Sequence, residues 1–435
     1  MKKKKDYFVI ILILVVLNII GCSKEPVQEE TIEELRQVEK VQGFSSINGY
    51  KVQEGKFFFT GIKKNQWNLY RLDLENEDLK AIHPEAENYD VYIALGEDAA
   101  VYIDLDGQLF YRTGEEEKRI DDEIMGIQRP NLLVSPSQEG VLYTKGPLEE
   151  ADLYLYFFQQ DEPVPIKKNI SQDAFRTFSF TTQWSNKNNY FIYHNQEIYN
   201  DKGELYTTID ATTALWSPDD NYIAYIKIPE AAQEKEITIG HWNTYIGEEL
   251  ALLNVEEKKA KTIYENSKGL IDPIDSLQWS KNAAKIGVSV GDITITPHKE
   301  LDELNYEKVY VYDVAAEEGM EVENIHFNYY EILFDNYLYA SSIGKKEVLE
   351  LVEIYEKDRK KYNNPALLNS QDMFVISHQK EGYLLDGRKL IKLNQQGEEE
   401  VIFQGPWEIN EVYLDTKTKT FIITNEEMEM YLLKK

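Results

Sequence analysis

The sequence contains a single cysteine in 435 residues and only six histidines, and both scarcities restrict its chemistry. With one cysteine the chain can form no internal disulfide and no Cys-x-x-Cys site. Neither His-Glu-x-x-His nor a glycine-rich phosphate loop occurs. Basic residues are also few, because 47 Lys and Arg stand against 77 Asp and Glu, which gives a net charge of −30. A chain this acidic is repelled by phosphate backbones, so we expect no nucleic-acid partner.

The first 21 residues have the composition of a secretory signal. Four lysines precede the apolar run Tyr7–Ile20, which is too short to span a bilayer comfortably. The run ends in Ile19-Ile20-Gly21-Cys22, which resembles the lipobox of bacterial lipoproteins, with Ile where Leu is usual. The resemblance implies that residues 1–21 are a cleaved signal peptide. It also implies that acyl chains on Cys22 anchor the protein to the outer face of a bacterial cell membrane. The alternative is an uncleaved anchor helix that happens to contain a cysteine.

Residues 22–42 are polar, acidic and poor in aromatic side chains. This composition is typical of a flexible segment, and we expect it to act as a tether between the membrane and the folded body. No obvious linker follows, so residues 43–435 are predicted to form one domain.

One short pattern recurs along the folded part. It is clearest at Leu215–Tyr225, where an apolar run, a turn of Pro, Asp and Asn, and a second apolar run follow one another. This pattern predicts two antiparallel strands joined by a tight turn. Weaker copies have a serine directly after a large apolar residue, at Val134-Ser135, Trp184-Ser185 and Trp279-Ser280. Repetition over tens of residues indicates a repeat architecture.

The copies belong to units of four predicted strands, and units of about 30–50 residues are typical of β-propeller blades. We predict an all-β propeller of four-stranded antiparallel blades, with eight blades favoured and six or seven left open. A β-sandwich or two smaller β domains is the alternative. The unit after Trp407 has only three predicted strands, and Gly43–Ser46 is the predicted closing strand. One segment departs from the β pattern, since Lys345–Lys361 has apolar residues at helical spacing.

The clearest copy also carries a family resemblance. Trp216-Ser217-Pro218-Asp219-Asp220 followed by Ile223-Ala224-Tyr225 is similar to the repeat of TolB-type propellers, which also occurs in the propellers of dipeptidyl-peptidase-like proteins. The resemblance implies a propeller over most of the chain. It gives the repeat's Trp and Ser structural roles, as a core aromatic and a turn hydroxyl, and it implies no catalytic residue.

No catalytic, metal or cofactor site emerges from the residues. Peptidases with such propellers carry a further hydrolase domain with a Gly-x-Ser-x-Gly nucleophile elbow, and that motif is absent here. Asp104-Leu105-Asp106-Gly107 begins like a calcium loop but lacks the later ligands, so it predicts a hairpin turn. The six histidines are scattered along the chain: His83, His194, His241, His298, His326 and His378. We therefore predict no catalytic residue, no metal and no cofactor.

Two long insertions mark the predicted binding surface. In the fifth and sixth units, about Pro229–Glu248 and Gly291–Glu307 lie between the second and third strands. Connections of this kind share one face of a propeller, so we expect the insertions to stand side by side. Long loops on a rigid scaffold often carry function. The alternative is that Ile237–Tyr245 extends the hairpin and packs on a neighbouring blade. The candidate ligand contacts are four aromatic and hydrogen-bonding residues: His241, Trp242, Tyr245 and His298.

Two functional hypotheses follow. The favoured one is a non-enzymatic surface lipoprotein whose propeller binds an envelope protein or a wall-associated ligand. The alternative is an extracytoplasmic hydrolase or lyase that acts on a peptide or glycan at the propeller channel. The missing hydrolase motif and the use of the only cysteine for lipid favour the first.

Overall fold

The structure, a computed structural model, describes residues 35–53, 55–64, 66–82, 89–95, 99–126, 130–239, 242–271, 276–327, 329–333, 337–342, 348–354, 359–362, 374–378, 381–394, 398–425 and 427–434. Nearly all regular structure in these ranges is β. Three short helices interrupt it, α1 (Gln172–Arg176), α2 (Phe178–Thr181) and α3 (Ala232–Lys235), together with one 3-10 turn at Glu39–Val41. Within the described ranges, no helix is long and apolar enough to cross a membrane.

The described strands pair into nine four-stranded antiparallel sheets and one two-stranded hairpin. The chain begins with β1 (Leu35–Gln37), whose partners come at the other end of the sequence. We number the sheets from 1 to 9 along the chain. Sheet 1 contains β2–β5 (Phe44–Gln53, Lys56–Lys63, Gln66–Asp73, Leu79–Ala81). Sheet 2 contains β6–β9 (Tyr89–Ala94, Ala99–Asp104, Leu109–Thr113, Glu116–Asp121). Sheet 3 contains β10–β13 (Leu132–Val134, Gly140–Lys145, Asp152–Phe157, Val164–Lys167).

Sheets 4 to 6 continue in the same way. Sheet 4 contains β14–β17 (Gln183–Trp184, Tyr190–Tyr193, Glu197–Asn200, Leu205–Thr208). Sheet 5 contains β18 (Ala211–Trp216), β19 (Tyr222–Lys227), β22 (Gly247–Asn254) and β23 (Lys259–Leu270), while β20 (Glu236–Ile239) and β21 (Trp242–Tyr245) form the separate hairpin. Sheet 6 contains β24–β27 (Leu277–Trp279, Lys285–Ile295, Leu301–Asp313, Glu318–Phe327).

The last three sheets follow the same order. Sheet 7 contains β28–β31 (Tyr329–Leu333, Tyr337–Ser342, Val348–Glu353, Arg359–Tyr362). Sheet 8 contains β32–β35 (Phe374–His378, Glu381–Asp386, Lys389–Asn394, Glu399–Gln404). Sheet 9 contains β36–β38 (Ile409–Asp415, Thr420–Asn425, Met430–Lys434), and β1 pairs with β38 as its fourth strand.

The repeated serine organises the first turn of four sheets. The hydroxyl oxygen of Ser217 accepts a hydrogen bond from the backbone N–H of Tyr222 at 2.9 Å. The corresponding serines do the same with the fifth residue after them: Ser135 with Gly140, Ser185 with Tyr190 and Ser280 with Lys285. The third residue after each serine has a positive φ: Gln138, Asn188, Asp220 and Ala283. Asn and Asp tolerate this left-handed conformation well, which explains their place in the repeat. The predicted role of the serine as a turn hydroxyl is confirmed.

In two copies of the repeat, the tryptophan links its sheet to the one before it. The indole N–H of Trp184 in sheet 4 donates to the carbonyl oxygen of Leu133 in sheet 3, at 3.3 Å. The indole of Trp279 in sheet 6 makes the equivalent bond to Leu215 in sheet 5, at 3.2 Å. Both indoles are largely buried between the sheets. The predicted role of the tryptophan as a core aromatic is confirmed, and the hydrogen bond adds a fixed register between neighbouring sheets.

Clusters of buried hydrophobic residues lie between consecutive sheets, and one of them packs the last sheet against the first. Separate clusters of buried residues join sheets 2 and 3, 3 and 4, 4 and 5, 5 and 6, 6 and 7, and 8 and 9. A further cluster joins Phe57 and Leu72 of sheet 1 to Ile422 and Leu432 of sheet 9. The described clusters thus follow chain order and pack the last sheet on the first, which is the arrangement of propeller blades. The predicted all-β propeller of four-stranded antiparallel units is confirmed.

The ring closes with a different strand from the one predicted. Leu35 and Gln37 of β1 pair with Leu433 and Tyr431 of β38, whereas Gly43–Ser46 leads into the first strand of sheet 1. The tether prediction for residues 22–42 is therefore wrong from residue 35 onward. Val38 and Val41, each 1% exposed, pack in the cluster between sheets 1 and 9. The acidic composition of residues 22–42 did not indicate that these two valines are buried, because they become buried only through contacts with residues distant in sequence.

Two further predictions need correction. The nine sheets outnumber the eight blades favoured from the sequence, because β1 completes the C-terminal unit that had only three predicted strands. The helix predicted at Lys345–Lys361 is wrong where the structure describes that segment, since Val348–Glu353 and Arg359–Tyr362 are strands. Val348–Glu353 pairs on both edges, with β29 and β31, and such pairing outweighs a weak helical periodicity.

Candidate functional site: the face that carries the two insertions

The up-and-down order of the sheets gives the propeller two different faces. Connections from the first to the second strand and from the third to the fourth lie on one side, which we call the turn face. It carries the repeated serine turns. Connections from the second to the third strand, and from one sheet to the next, lie on the opposite side, which we call the insertion face. Both insertions belong to this face, because they follow β19 in sheet 5 and β25 in sheet 6.

The two insertions contact each other as predicted. The backbone N–H of Thr238 in β20 donates to the carbonyl oxygen of Lys299, in the turn between β25 and β26, at 2.7 Å. Thr238 also forms a parallel bridge with Glu300. A small apolar cluster fixes the contact: Ile237, Ile246 and Ile271 are buried, and Ile239, Ile293, Leu301 and Leu304 pack against them. The insertions therefore form one lobe on the insertion face.

The predicted ligand contacts occupy different parts of this lobe. Trp242 and Tyr245 begin and end β21, where Trp242 pairs with Ile239 and the half-buried Tyr245 pairs with Glu236. His298 is exposed in the turn of sheet 6, and its backbone N–H donates to the hydroxyl oxygen of Thr296 at 3.3 Å. His241 and Cys22 lie outside the described residues. The role of the four residues as ligand contacts stays a prediction.

The packing alternative is partly realised in the same hairpin. Ile237, 1% exposed, points into the apolar cluster beneath the lobe. The hairpin thus contributes its isoleucines to packing on sheet 6. Because side chains alternate along a strand, this leaves the opposite side of β20 and β21 for other contacts.

The lobe also reaches towards sheets 3 and 4. Helix α1, in the connection between these sheets, contacts β21. Ser171 caps the start of this helix, and its hydroxyl oxygen accepts from the N–H of Ala174 at 3.1 Å. The hairpin of β20 and β21 is therefore held between α1 on one side and the turn of sheet 6 on the other. This arrangement bridges several sheets across one face.

Beside α1 lies a titratable pair that the sequence did not predict. The imidazole Nε2 of His194 is 3.5 Å from the Oδ2 of Asp173 in α1. His194 and Asn195 both have positive φ, 52° and 57°, a backbone conformation that is uncommon outside glycine. Asn195 holds this turn in place, because its N–H donates to Thr181 and its side-chain amide donates to Thr212. Residues from two separate connections form the pair, so no local spacing could have revealed it.

The imidazole of His194 is largely neutral near pH 7. Burial lowers its pKa, and the carboxylates of Asp173 and Glu197 oppose that effect only in part. Glu197 itself accepts from Lys167 at 2.6 Å and from the Tyr199 hydroxyl at 2.7 Å. A neutral imidazole beside a carboxylate can donate or accept a proton or a hydrogen bond. His194 and Asp173 therefore give this part of the insertion face a polar contact with side chains that can gain or lose a proton.

Exposed apolar side chains are concentrated on the insertion face. Six large hydrophobic residues are exposed in the described parts of the chain. Three lie in connections of this face, Leu105 (69%), Met125 (47%) and Phe180 (72%), and Ile295 (44%) ends β25 in the second insertion. The other two, Leu205 and Val401, lie in the fourth strands of sheets 4 and 8.

Hydrogen bonds connect the elements that carry the exposed apolar residues. The N–H of Ile124, next to Met125, donates to the carbonyl of Gly107 in the turn that contains Leu105, at 3.0 Å. The side-chain amide of Asn131 donates to the carbonyl of Phe175 in α1, at 2.8 Å. The connections of sheets 2, 3 and 4 therefore form a continuous surface that leads to the lobe. Because four of the six exposed apolar side chains share this face, we treat it as the candidate interaction surface.

The described residues of this face form no cluster of metal ligands. Across the described ranges, no group of three or more His, Cys, Asp or Glu side chains is arranged to hold a metal ion. The turn of Asp104 is a hairpin turn as predicted, since its Oδ1 accepts from the N–H groups of Asp106 and Gln108.

Comparisons with known proteins identify no family for this chain. No family model and no curated protein matches the chain. Among solved structures, the chain is similar to tricorn protease, with a TM-score of 0.38 and 10% identity over 90% of this chain and 42% of that one. It is similar to oligogalacturonate lyase from Vibrio parahaemolyticus, with a TM-score of 0.36 and 13% identity over 76% of this chain and 96% of that one. TolB from Acinetobacter baumannii gives a TM-score of 0.28 and 10% identity, over 89% and 79%.

With TM-scores below 0.5, these likenesses decide neither the fold nor the activity of this chain. The chain spans less than half the length of tricorn protease. Two of the three similar proteins are enzymes by name, and TolB is not, so the comparisons do not distinguish the two functional hypotheses. The fold follows from the described sheets themselves, whose order and packing are those of a β-propeller protein.

Proposed function

We propose that this protein is a membrane-anchored extracytoplasmic lipoprotein whose propeller binds an envelope protein or a wall-associated ligand through the insertion face. The observation that carries the proposal is the concentration of exposed apolar side chains on the face where the two insertions form a lobe. The lipid anchor is inferred from the lipobox-like sequence at Cys22.

The energetics favour a partner for this face. Covering a large apolar side chain such as Phe180 or Leu105 contributes about 1.5–3 kcal/mol. A few such residues, next to the polar pair of His194 and Asp173, resemble the mixture of anchors and hydrogen-bonding groups found at protein interfaces. The strong negative charge elsewhere keeps the free protein soluble while this face stays exposed.

In-cell crosslinking of the tagged, full-length protein tests the proposal. Membranes are solubilised, and the material that co-purifies is compared for the parent protein, Phe180→Asp and a matched control, Leu205→Asp. Phe180 is 72% exposed on the insertion face, and Leu205 is 56% exposed on an outer strand. We expect the partner yield to fall at least tenfold in Phe180→Asp, because a buried charge replaces an apolar anchor, and to persist in Leu205→Asp. Equal yields in both variants would refute the proposed face.

The predicted ligand contacts on the lobe need a second variant. His241→Ala combined with Trp242→Ala should weaken capture of the same partner and leave the thermal unfolding midpoint within about 2 °C of the parent. A large loss of thermal stability would instead show that these residues pack on the neighbouring sheet.

One observation favours the enzymatic alternative. His194, which lies in a turn with left-handed backbone, is close to Asp173 of α1. Under this alternative the neutral imidazole would move a proton during cleavage of a peptide or glycan. Purified protein would be assayed against peptidoglycan fragments, peptides and acidic polysaccharides, together with His194→Ala. Turnover that His194→Ala abolishes would favour the enzyme. Turnover that persists would assign it to a contaminant.

A further inference from the structure

The ends of sheets 2 and 3 form one patch on the insertion face. The connection that follows sheet 2 runs between the turns of the two sheets, because the N–H of Ile124 donates to the carbonyl of Gly107 at 3.0 Å and Ile124 forms a bridge with Lys145. The side chain of Ile124 is buried, whereas the next side chain, Met125, is 47% exposed. Three segments therefore lie side by side and form what we call the sheet 2–3 patch: residues 105–108, 122–126 and 146–151.

Apolar side chains and carboxylates stand next to each other in this patch. Leu105, which is 69% exposed, is followed by the exposed Asp106. Met125 lies two residues after the exposed Glu123. The third segment contains the sequence Pro-Leu-Glu-Glu at 147–150, in which all residues but the leucine are exposed. Each segment thus presents apolar surface together with at least one carboxylate.

The lysine and arginine nearest to this patch are already paired with other carboxylates. Lys145 pairs with Asp121 and Asp122. Arg119 also pairs with Asp122, at 2.7 Å. Within the part of the chain that the structure describes, four exposed carboxylates of the patch form no ion pair: Asp106, Glu123, Glu149 and Glu150. Their negative charge therefore remains available to a partner.

Acidity alone does not distinguish this patch, because the whole chain is acidic. On the turn face, the same two sheets carry exposed carboxylates at Glu115 and Glu162, but none of the six exposed large hydrophobic residues lies there. The sheet 2–3 patch combines both features. Over 105–108, 122–131 and 146–151 the sequence contains five acidic residues against one basic residue, Arg129, which lies outside the described residues.

We propose that the sheet 2–3 patch binds a basic segment of a protein partner, in which apolar side chains are flanked by Lys or Arg; this inference rests on the proposed function. Covering Leu105 and Met125 removes apolar surface from water, which favours contact with apolar side chains. The carboxylates beside them attract cationic groups and repel acidic ones. An anionic wall polymer would meet like charges at this place, so the patch fits a basic protein segment better.

Fluorescence anisotropy with the purified full-length protein and labelled synthetic peptides tests this inference. The probe is a short amphipathic peptide of leucine and lysine, and two control peptides replace every lysine by glutamate or every leucine by serine. We expect saturable binding of the leucine–lysine peptide and no detectable binding of the leucine–glutamate peptide. The serine–lysine peptide should bind at least about tenfold more weakly, because it lacks apolar side chains. Equal affinities for the leucine–lysine peptide and either control would overturn the proposal.

Two pairs of charge-removing substitutions locate the binding. Asp106→Asn with Glu123→Gln removes two carboxylates of the patch. The matched control, Glu115→Gln with Glu162→Gln, removes two from the turn face, and all four side chains are exposed, so neither change threatens the fold. We expect the first pair to weaken binding of the leucine–lysine peptide by about 5- to 10-fold and the control pair by less than about twofold. Equal weakening by both pairs would show attraction to the acidic molecule as a whole and would refute the patch.

The apolar part of the patch has its own matched pair of variants. Leu105→Ser should weaken binding of the leucine–lysine peptide by about tenfold, because it removes an exposed apolar contact. Leu205→Ser, at a similarly exposed leucine on an outer strand, should bind like the parent. Unchanged affinity in Leu105→Ser would contradict the proposal.

In-cell crosslinking separates this inference from the proposed function. If Phe180→Asp loses the partner while Asp106→Asn with Glu123→Gln retains it at the parental yield, the insertion face binds a partner but the basic segment is wrong. If Phe180→Asp captures as much as the parent, the proposed function fails. The peptide measurements then still decide whether the sheet 2–3 patch binds basic segments.

Discussion

The segment Val38–Val41 gives the sharpest test of how the ring closes. The sequence places both valines in a flexible tether, whereas the structure buries each to 1% exposure between sheets 1 and 9. Replacing a buried valine by alanine removes two methyl groups, at about 0.8 kcal/mol each, and leaves a cavity that adds to the loss. We therefore expect Val38→Ala and Val41→Ala each to lower the free energy of unfolding by about 2 kcal/mol. The double variant should lose about 3–4 kcal/mol, because the two side chains share one cluster and their effects need not add fully.

Urea unfolding followed by tryptophan fluorescence and circular dichroism measures these losses at neutral pH. Val401→Ala is the matched control, since Val401 is 52% exposed in an outer strand and the same substitution there should cost less than about 0.5 kcal/mol. The hydrogen bond from the N–H of Val38 to the carbonyl of Met430, 2.8 Å long, is retained in all variants, so the experiment isolates the side chains. If the two valine variants unfold at the same urea concentration as Val401→Ala, the segment does not close the ring and the assignment of β1 is wrong.

Three shorter predictions concern the anchor, the second insertion and pH. Cys22→Ser should abolish incorporation of labelled palmitate and release the protein from membranes in a detergent partition assay, whereas persistent membrane binding would favour the uncleaved helix. Gly291→Ala should destabilise the hairpin of sheet 6, because an added Cβ would lie 1.9 Å from the carbonyl oxygen of Asn305, and amide exchange at the lobe should then rise. The hydrogen bond from Lys308 holds the pKa of Glu321 below its ordinary value of 4.5, so its contribution, on the order of 1 kcal/mol, is present at neutral pH and is lost as the pH falls below 4.5. Glu321→Gln should therefore unfold more easily than the parent at pH 7, and the difference between the two should shrink as the pH falls below 4.5.

The sequence predicts the fold where local turn chemistry determines it. The serine turns succeed because one hydroxyl, one left-handed residue and the N–H of the fifth residue form a complete unit within a few positions, as at Ser217 and Tyr222. The place of the insertions follows from counting strands, and their contact through Thr238 and Lys299 follows from the up-and-down order.

The errors occur where distant partners decide the structure. Leu35 becomes a strand residue only because Leu433 supplies an edge almost 400 positions later, roughly the full length of the chain. Val348–Glu353 becomes a strand because strands pair on both its edges. The candidate site has the same limitation. His194 and Asp173 meet through the packing of two connections, and no spacing in the sequence encodes their 3.5 Å separation.

The direction of β1 has a consequence for how the molecule is oriented. β1 runs antiparallel to β38, so Leu35 lies beside Leu433, near the end of that strand, and the chain enters the ring from the turn face. With an acyl group on Cys22, the segment from Cys22 to Leu35 could reach at most about 45 Å, which would keep the start of β1, on the side of the serine turns, within that distance of the membrane. The insertion face would then point outward, away from the bilayer. A partner would approach the insertion face from the wall side, while the lipid would hold the turn face towards the membrane.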